Sequence, residues 1–419
     1  MSFRYGGARI AQVFLLASGV SATEMPAWAE CQDFRNPKDV ISCALVNHPE
    51  IREAEARVGQ GEETVNVAAQ VPNPELNSQM VTASTTSGRL NYAEFNLAQT
   101  IELGGKLSAR REQAQAQHDL IKTELLKAKE QVYITTFLAL YRLRQLKVEL
   151  EILADSLSTF SRIQKLFLSR PRLSPDQRIS LQILELARGD YRGRKAGLES
   201  EAFSHNKTLE LATSRDLSGN LTILPQRRAS WPEMGEEELK LPPQGSTYQS
   251  ALGDLQFAQT TLSVEHSLSW PDLKIGPTFE TQSQGGISHQ AYGLNFTLPL
   301  PLFHFNGAGT ARAGYGVKRF EIALDAARKE LLDQREIYLH RYSSAVRILK
   351  SSPSEAEVLR QRKLARGLFD QGLVSGALVI EAHRQVLDFT KSQNEQELTA
   401  LEALAKLYAL DGRLFQESL

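Results

Sequence analysis

The chain has 419 residues, and its 48 Lys and Arg nearly cancel its 49 Asp and Glu, leaving a net charge of −1. That balance excludes the basic footprint of a nucleic-acid binder. The two cysteines, Cys31 and Cys43, have no CxxC or Cys/His ligand spacing, which excludes a structural zinc motif.

Arg4 and Arg9, the apolar run Ile10 to Val20 and the small-residue motif Ala27-Trp28-Ala29 read as a signal peptide over 1–29, cut after Ala29. The apolar run is too short to span a bilayer as an anchor. Glu30 stands between the cut and Cys31, against the pattern of a lipidated N-terminus. In an oxidising compartment Cys31 and Cys43 could pair, and their spacing leaves both states open.

Residues 49–70 are expected to be helical. Strands follow at 74–86 and 90–103. In the second, Ala93, Phe95, Leu97, Ile101 and Leu103 alternate with Tyr92, Glu94, Asn96, Thr100 and Glu102, which makes one apolar and one polar face. Gly104-Gly105 ends it. Lys106 to Ser169 contains neither Pro nor Gly, enough for a helix about 95 Å long. Ala139, Leu143, Leu146, Leu150, Leu153, Leu157 and Phe160 form a coiled-coil seam along it. Arg170-Pro171-Arg172 stops it, and Ser174-Pro175 starts a return helix to about Thr213. Residues 214–247, rich in Pro, Gly and Glu, read as a surface linker.

The plan then repeats. Asn73-Pro74-Glu75-Leu76 returns as Trp270-Pro271-Asp272-Leu273, Phe95-Asn96-Leu97 as Leu294-Asn295-Phe296, and Leu173-Ser174 as Val374-Ser375, at an offset of roughly 197 to 201 residues. The first repeat spans 30–213, with its helical hairpin at 106–213. The second spans 248–419, with a helix at 248–268, strands at 272–283 and 289–302, and a helical hairpin at 308–415 interrupted by Pro353. Tyr292, Leu294, Phe296, Leu298, Leu300 and Leu302 share one face of the last strand, which Pro299 and Pro301 close. The fold class is mainly α with a small β part. No apolar run beyond the signal peptide reaches a membrane-spanning length, so any crossing must use strands. Four strands cannot close a barrel, and open edges are forbidden in lipid, so several chains would have to share one. Three chains would supply twelve strands, an ordinary number for an outer-membrane barrel.

Pro72-Asn73-Pro74-Glu75-Leu76, Gln99-Thr100-Ile101-Glu102-Leu103-Gly104-Gly105-Lys106, Leu298-Pro299-Leu300-Pro301-Leu302-Phe303 and Gly372-Leu373-Val374-Ser375 resemble the TolC-like outer-membrane efflux proteins. Among these, the Glu-Leu-Gly-Gly-Lys and Pro-Leu-Pro-Leu-Phe stretches are most similar to outer-membrane components of cobalt-zinc-cadmium type exporters. The resemblance implies a homotrimer with a 12-stranded β-barrel in the outer membrane and a periplasmic α-helical barrel. It also implies a periplasmic adaptor and an inner-membrane resistance-nodulation-division pump as partners. The function it implies is a passive exit duct, for heavy-metal cations first, with drugs or type I secreted proteins as alternatives. A soluble periplasmic coiled-coil scaffold is the alternative from another class.

The lipid-facing candidates are Phe95, Leu97, Ile101, Tyr292, Leu294, Phe296 and Leu298. Adaptor contacts fall to the two hairpin tips, at Arg170, Pro171, Leu173 and Ser174 and at Gly372, Leu373 and Ser375. The family's gate carries acidic positions after the second tip. Glu381 matches one of them, Leu378 occupies the other, and Asp370 is a second acidic candidate. Threefold symmetry would gather the Glu381 carboxylates and raise their pKa values by mutual repulsion. No P-loop, GxSxG, HExxH or GxGxxG motif is present, so neither an enzyme nor a cofactor is expected. The histidines show no i, i+4 ligand pair, and no metal site is expected.

Overall fold

The structure, a computed structural model, describes residues 31, 33–86, 88–234, 242–371 and 373–416. The expected signal peptide lies outside them, as does Gly372.

The element order is α1 (Pro37–Asn47), α2 (Pro49–Ala68), β1 (Glu75–Thr85), β2 (Gly88–Ile101), α3 (Lys106–Leu168), α4 (Pro175–Thr213), a 3-10 turn (Leu221–Ile223), α5 (Ser246–Ser267), β3 (Leu273–Gln284), β4 (Ile287–Thr297), α6 (Gly307–Ser351), α7 (Glu355–Asp370) and α8 (Gly376–Leu410). The fold is mainly helical, with one small antiparallel sheet of order β1-β2-β3-β4. The duplication is visible in it. Helix α2 leads into the hairpin β1-β2 and then α3-α4; α5 leads into β3-β4 and then α6, α7 and α8. The β2–β3 ladder joins the two copies.

Local chemistry accounts for most boundaries. Asn36 and Asp39 close a capping box before α1, with Pro37 in its first turn. Ser174 and Gln177 do the same for α4. Helix α3, with 63 residues, is about 95 Å long. Its seam residues Leu146, Leu153 and Phe160 are fully buried. Leu153 and Phe160 pack with Ile163, Phe167, Leu184, Tyr191, Val379 and Val386 in a core shared by α3, α4 and α8. Cys31 and Cys43 are joined as a disulfide, which ties the segment before α1 to that helix.

Several expectations need correction. Strand β4 stops at Thr297, not 302, because Pro299 and Pro301 have no N–H to give to a ladder. Leu298 therefore lies just past the strand. Strand β2 stops at Ile101, because Gly104 and Gly105 follow with left-handed φ values of 72° and 73°. A side chain at Gly104 would also strike the Trp270 ring, 2.4 Å from an added Cβ. Helix α8 ends at Leu410 rather than 415. Gly412 takes φ 71°, and Arg413 N–H closes the end on the Tyr408 carbonyl. Helix α1 was not anticipated.

The segment 214–247 does not simply lie on the surface either. Leu217 and Ile223 are buried against Val40, Leu140, Leu143 and Leu209. Trp231 packs on the Tyr342 cluster, where the Tyr342 hydroxyl donates to the Pro232 carbonyl. Its apolar side chains fill gaps between helices that its loop-like composition conceals. Residues 235–241 of it lie outside the described residues.

Candidate functional site: the sheet wall and the hairpin tips

The strand register sorts the sheet into two chemically different faces. Phe95 sits opposite Phe279, and Phe279 opposite Tyr292. Leu97 faces Leu76, Ile101 faces Leu273, Pro277 faces Leu294, and Ile275 faces Phe296. Directly opposed residues share a face, so these side chains form one apolar surface. Phe95, Leu97, Ile101, Tyr292, Leu294, Phe296 and Leu298 are all exposed, Leu294 at 78%.

The other face is polar. Glu94 lies opposite Glu280. Tyr92 donates its hydroxyl proton to Glu94 Oε2 at 2.9 Å, and Lys274 Nζ bridges to Glu75 at 2.8 Å. Strands β1 and β4 end the sheet order, so the chain leaves both outer edges unpaired among the described residues.

Ion pairs fix the sheet on its helices. Lys106 Nζ meets Asp272 at 2.6 Å. Arg110 grips Glu102 through two nitrogens, at 2.7 and 3.2 Å, and donates to the Ala68 and Gln70 carbonyls.

The two hairpin tips lie side by side at the far end of the helices. Gly376 packs against Phe167, and Arg162 pairs with Asp370 at 3.4 Å. Arg170 and Pro171 are exposed, whereas Leu173 packs partly into the hairpin core. Ser174 and Ser375 spend their hydroxyls on capping α4 and α8. Leu373 is exposed.

Glu381 is half-exposed on α8 and accepts hydrogen bonds from Arg384 at 2.9 Å and Gln385 at 2.8 Å. These donors, Arg384 foremost, hold its carboxyl below the usual carboxylate range. Within the chain the shift is thus opposite to that expected from mutual repulsion of carboxylates. The i, i+3 spacing of Glu381 and Arg384 carries this pairing in the sequence. Among the described residues no three His, Cys, Asp or Glu converge as a metal site, and no helix is long and apolar enough to cross a membrane.

Sequence patterns did not reveal a buried polar network midway along the helices. Arg142 of α3 binds Glu149 at 2.9 Å and Glu201 of α4 at 2.6 Å. Asn394 of α8 donates to Glu149 at 2.7 Å. Glu397 accepts from Arg144 and from Gln145. Gln393 and Gln396, which interrupt the apolar spacing Val379, Ala382, Val386, Phe389, Ala400, Ala403 and Leu407 along α8, are the local sequence signal of polar packing there.

His205 stands 3.9 Å from Glu201 beside this network. Burial lowers its pKa from 6.5 despite the carboxylate. The unfolded chain then binds the proton more readily, so this contribution to stability is fully present above pH 6.5. It falls as the pH drops from 6.5 towards the lowered folded value. Glu201, held below 4.5 chiefly by its bond to Arg142, adds a second loss as the pH falls below 4.5. We expect His205→Gln to flatten the dependence of melting temperature on pH just below 6.5. An unchanged profile would remove His205 from the acid response.

Comparison with known proteins agrees with this geometry. A family model described as "Outer membrane efflux protein" matches residues 40–170. No curated protein matches the chain. Among solved structures, the Campylobacter jejuni CmeC outer membrane channel is 15% identical with a TM-score of 0.69, covering 99% of this chain and 94% of its own. The open state of the Neisseria gonorrhoeae MtrE outer membrane channel is 17% identical with a TM-score of 0.70, covering 99% and 98%. CusC is 17% identical with a TM-score of 0.61, covering 90% and 91%. The chain has the fold of these channels.

Proposed function

We propose that the chain is the outer-membrane exit duct of a tripartite efflux system, a conduit rather than an enzyme. The observation that carries this reading is the sheet. It has one exposed apolar face, one polar face and two edges unpaired among the described residues, and it continues into helices of which the longest, α3, is about 95 Å long. An open edge in lipid leaves backbone groups without partners, at several kcal/mol each. Three copies joined edge to edge remove every edge and make a twelve-stranded barrel. The apolar face then meets lipid, and Glu94, Glu280 and Tyr92 line water. The helices form the periplasmic extension. Its paired tips, at Arg170 to Ser174 and Leu373 to Ser375, meet a periplasmic adaptor, and an inner-membrane pump of the resistance-nodulation-division type supplies the energy.

Heavy-metal cations are the proposed substrate class. The Glu102 to Lys106 and Pro299 to Phe303 stretches support it, as does the acidic polar face of the sheet. The test is fractionation of a Gram-negative host expressing the full chain, with boiled and unboiled detergent extracts compared. A heat-sensitive trimer in the outer-membrane fraction is expected, and a soluble periplasmic monomer would sink the reading. Metal sensitivity of a deletion strain then tests the substrate class.

Glu381 is the proposed gate carboxylate, with Asp370 secondary, and Arg384 is its counter-charge. Removing the cation in Arg384→Ala should raise the cation-over-anion permeability ratio in planar bilayers by roughly 2–5-fold, and Glu381→Gln should lower it. Two unchanged ratios would place Glu381 outside the constriction.

A further inference from the structure

Helix α3 runs unbroken, but its counterpart in the second repeat is interrupted between α6 and α7 at Pro353. Ser352 is extended there, with φ −89° and ψ 149°, and the Ser354 hydroxyl caps α7 by accepting from the Glu357 N–H at 3.3 Å. A cavity of about 210 Å³ lies near this break, between α3, α7 and α8. An adjoining lobe of about 260 Å³ reaches Pro353 and shares three walls with it, Val358, Val386 and Phe389. Together the two reach the size of small-molecule sites, about 300–1,000 Å³.

The walls of the cavity are of two kinds. Val148 and Ile152 of α3, Val358 of α7, and Val386 and Phe389 of α8 are apolar. Two guanidinium groups, Arg144 of α3 and Arg227, also line it. Arg144 gives one terminal nitrogen to Glu397, but its Nε–H is buried with no acceptor among the described residues. Arg227 is exposed and reaches Gln393 Oε1 only at 3.5 Å. A groove that shares Arg227 adds Arg228 and Lys350. Among the described residues that line the cavity and this groove, Arg144, Arg227, Arg228 and Lys350 stand against the carboxylates of Glu151 and Glu397 alone. Glu397 is already matched by Arg144, and Glu151 lies 4.0 Å from Lys147. The balance of charge around the cavity is therefore positive.

We propose that this cavity binds a small organic carboxylate with an aromatic or branched apolar body of about ten non-hydrogen atoms. The body packs against Val358, Val386 and Phe389, and the carboxylate meets Arg144 and Arg227. A guanidinium fork matches the two oxygens of a carboxylate, which makes arginine the side chain of choice for this recognition. A purely apolar guest would leave the guanidinium groups unanswered, and an inorganic anion would leave the apolar walls wet. Val358 belongs to α7, so the ligand bears on the hairpin arm that leads to the second tip. The inference goes beyond the duct reading and does not depend on it.

The test is calorimetric titration of the full chain in detergent solution with hydrocinnamate, at neutral pH. Hydrocinnamide, which keeps the apolar body without the charge, and acetate, which keeps the charge without the body, are the controls. The expected Kd for hydrocinnamate is about 0.1–1 mM, and each control should bind at least about tenfold more weakly. Arg227→Gln is expected to weaken hydrocinnamate about fivefold or more. Val358→Trp, which fills the cavity from α7, is expected to abolish binding. Arg227 is exposed and Val358 half-buried, and the helical signal checks that each variant folds. Should Val358→Trp fail to fold, Arg227→Gln decides alone. Absence of saturable binding to the native chain would overturn the proposal and leave the cavity to water or to a side chain of a second copy. Equal binding of hydrocinnamide would overturn it as well, by removing the demand for a carboxylate. Native affinity in the folded variants would put the probe elsewhere on the chain and sink the site.

Discussion

On the barrel reading proposed above, Gly276→Val is expected to abolish the heat-sensitive folded species, lowering its yield more than about tenfold, because backbone pairing lost in lipid would cost several kcal/mol per group. A Cβ at Gly276 would stand 1.6 Å from the Leu97 carbonyl oxygen and 2.7 Å from its carbon. Those atoms belong to the backbone of β2 and cannot swing aside as a side chain can. The clash falls on the β2–β3 ladder, which among the described residues is the only one that joins the two repeats within the sheet. Pro277, the next residue, already withholds an N–H from it, so the ladder has little to spare there. Gly293→Ala is the control. Its Cβ would meet only the Thr278 methyl at 3.2 Å, and that side chain can give by a few tenths of an ångström. The comparison of boiled and unboiled samples reads both variants. A heat-sensitive Gly276→Val species at normal yield would mean that β2 and β3 do not approach as described.

The second large effect lies in the helices. Arg142→Leu is expected to destabilise them by about 3–5 kcal/mol, measured as the denaturant midpoint of the helical signal. Glu149 is 1% exposed, and in the variant it keeps Asn394 as a hydrogen-bond donor but loses the Arg142 cation. Glu201 is half-exposed, so water can replace its lost partner and little of the cost falls there. This locates the penalty in one buried carboxylate and makes it separable. Arg142→Leu combined with Glu149→Leu should recover more than about 1 kcal/mol relative to Arg142→Leu alone. If the double variant is no better than the single, Glu149 is not the group left stranded.

Much of this architecture was legible in local sequence. The period of two from Ala93 to Leu103 depends only on how a strand points successive side chains, and it foretold both faces of the sheet. The absence of Pro and Gly between Lys106 and Ser169, followed by Pro171, foretold α3 and its end. Ser174-Pro175 foretold the start of α4, because capping is settled within one turn of chain. The overrun of β4 to 302 came from following the alternation of Leu298, Leu300 and Leu302. That alternation persists after Pro299 has already ended the ladder.

The candidate site was legible only as a set of positions. Hydropathy alternation marked Phe95 and Tyr292 as apolar and exposed, but it could not pair them through Phe279. The tips were placed by their turn residues, but only packing brings Asp370 to Arg162 and Gly376 to Phe167. Glu381 was visible as a carboxylate, and Arg384, one helical turn away, sets the direction of its pKa.

The sequence by itself determined what chain-local physics can decide: element type, the two-faced strands, the caps, and the duplication that repeats them. Tertiary structure alone decided the contacts between distant stretches. It joined β2 to β3 across the duplication, and it buried Leu217 and Ile223 of a loop-like segment between helices. It also drew Arg142, Glu149, Glu201 and Asn394 into one network. A charged residue inside a helix looks the same in sequence whether its partner is water or a carboxylate on another helix. Only the fold sets which one it meets.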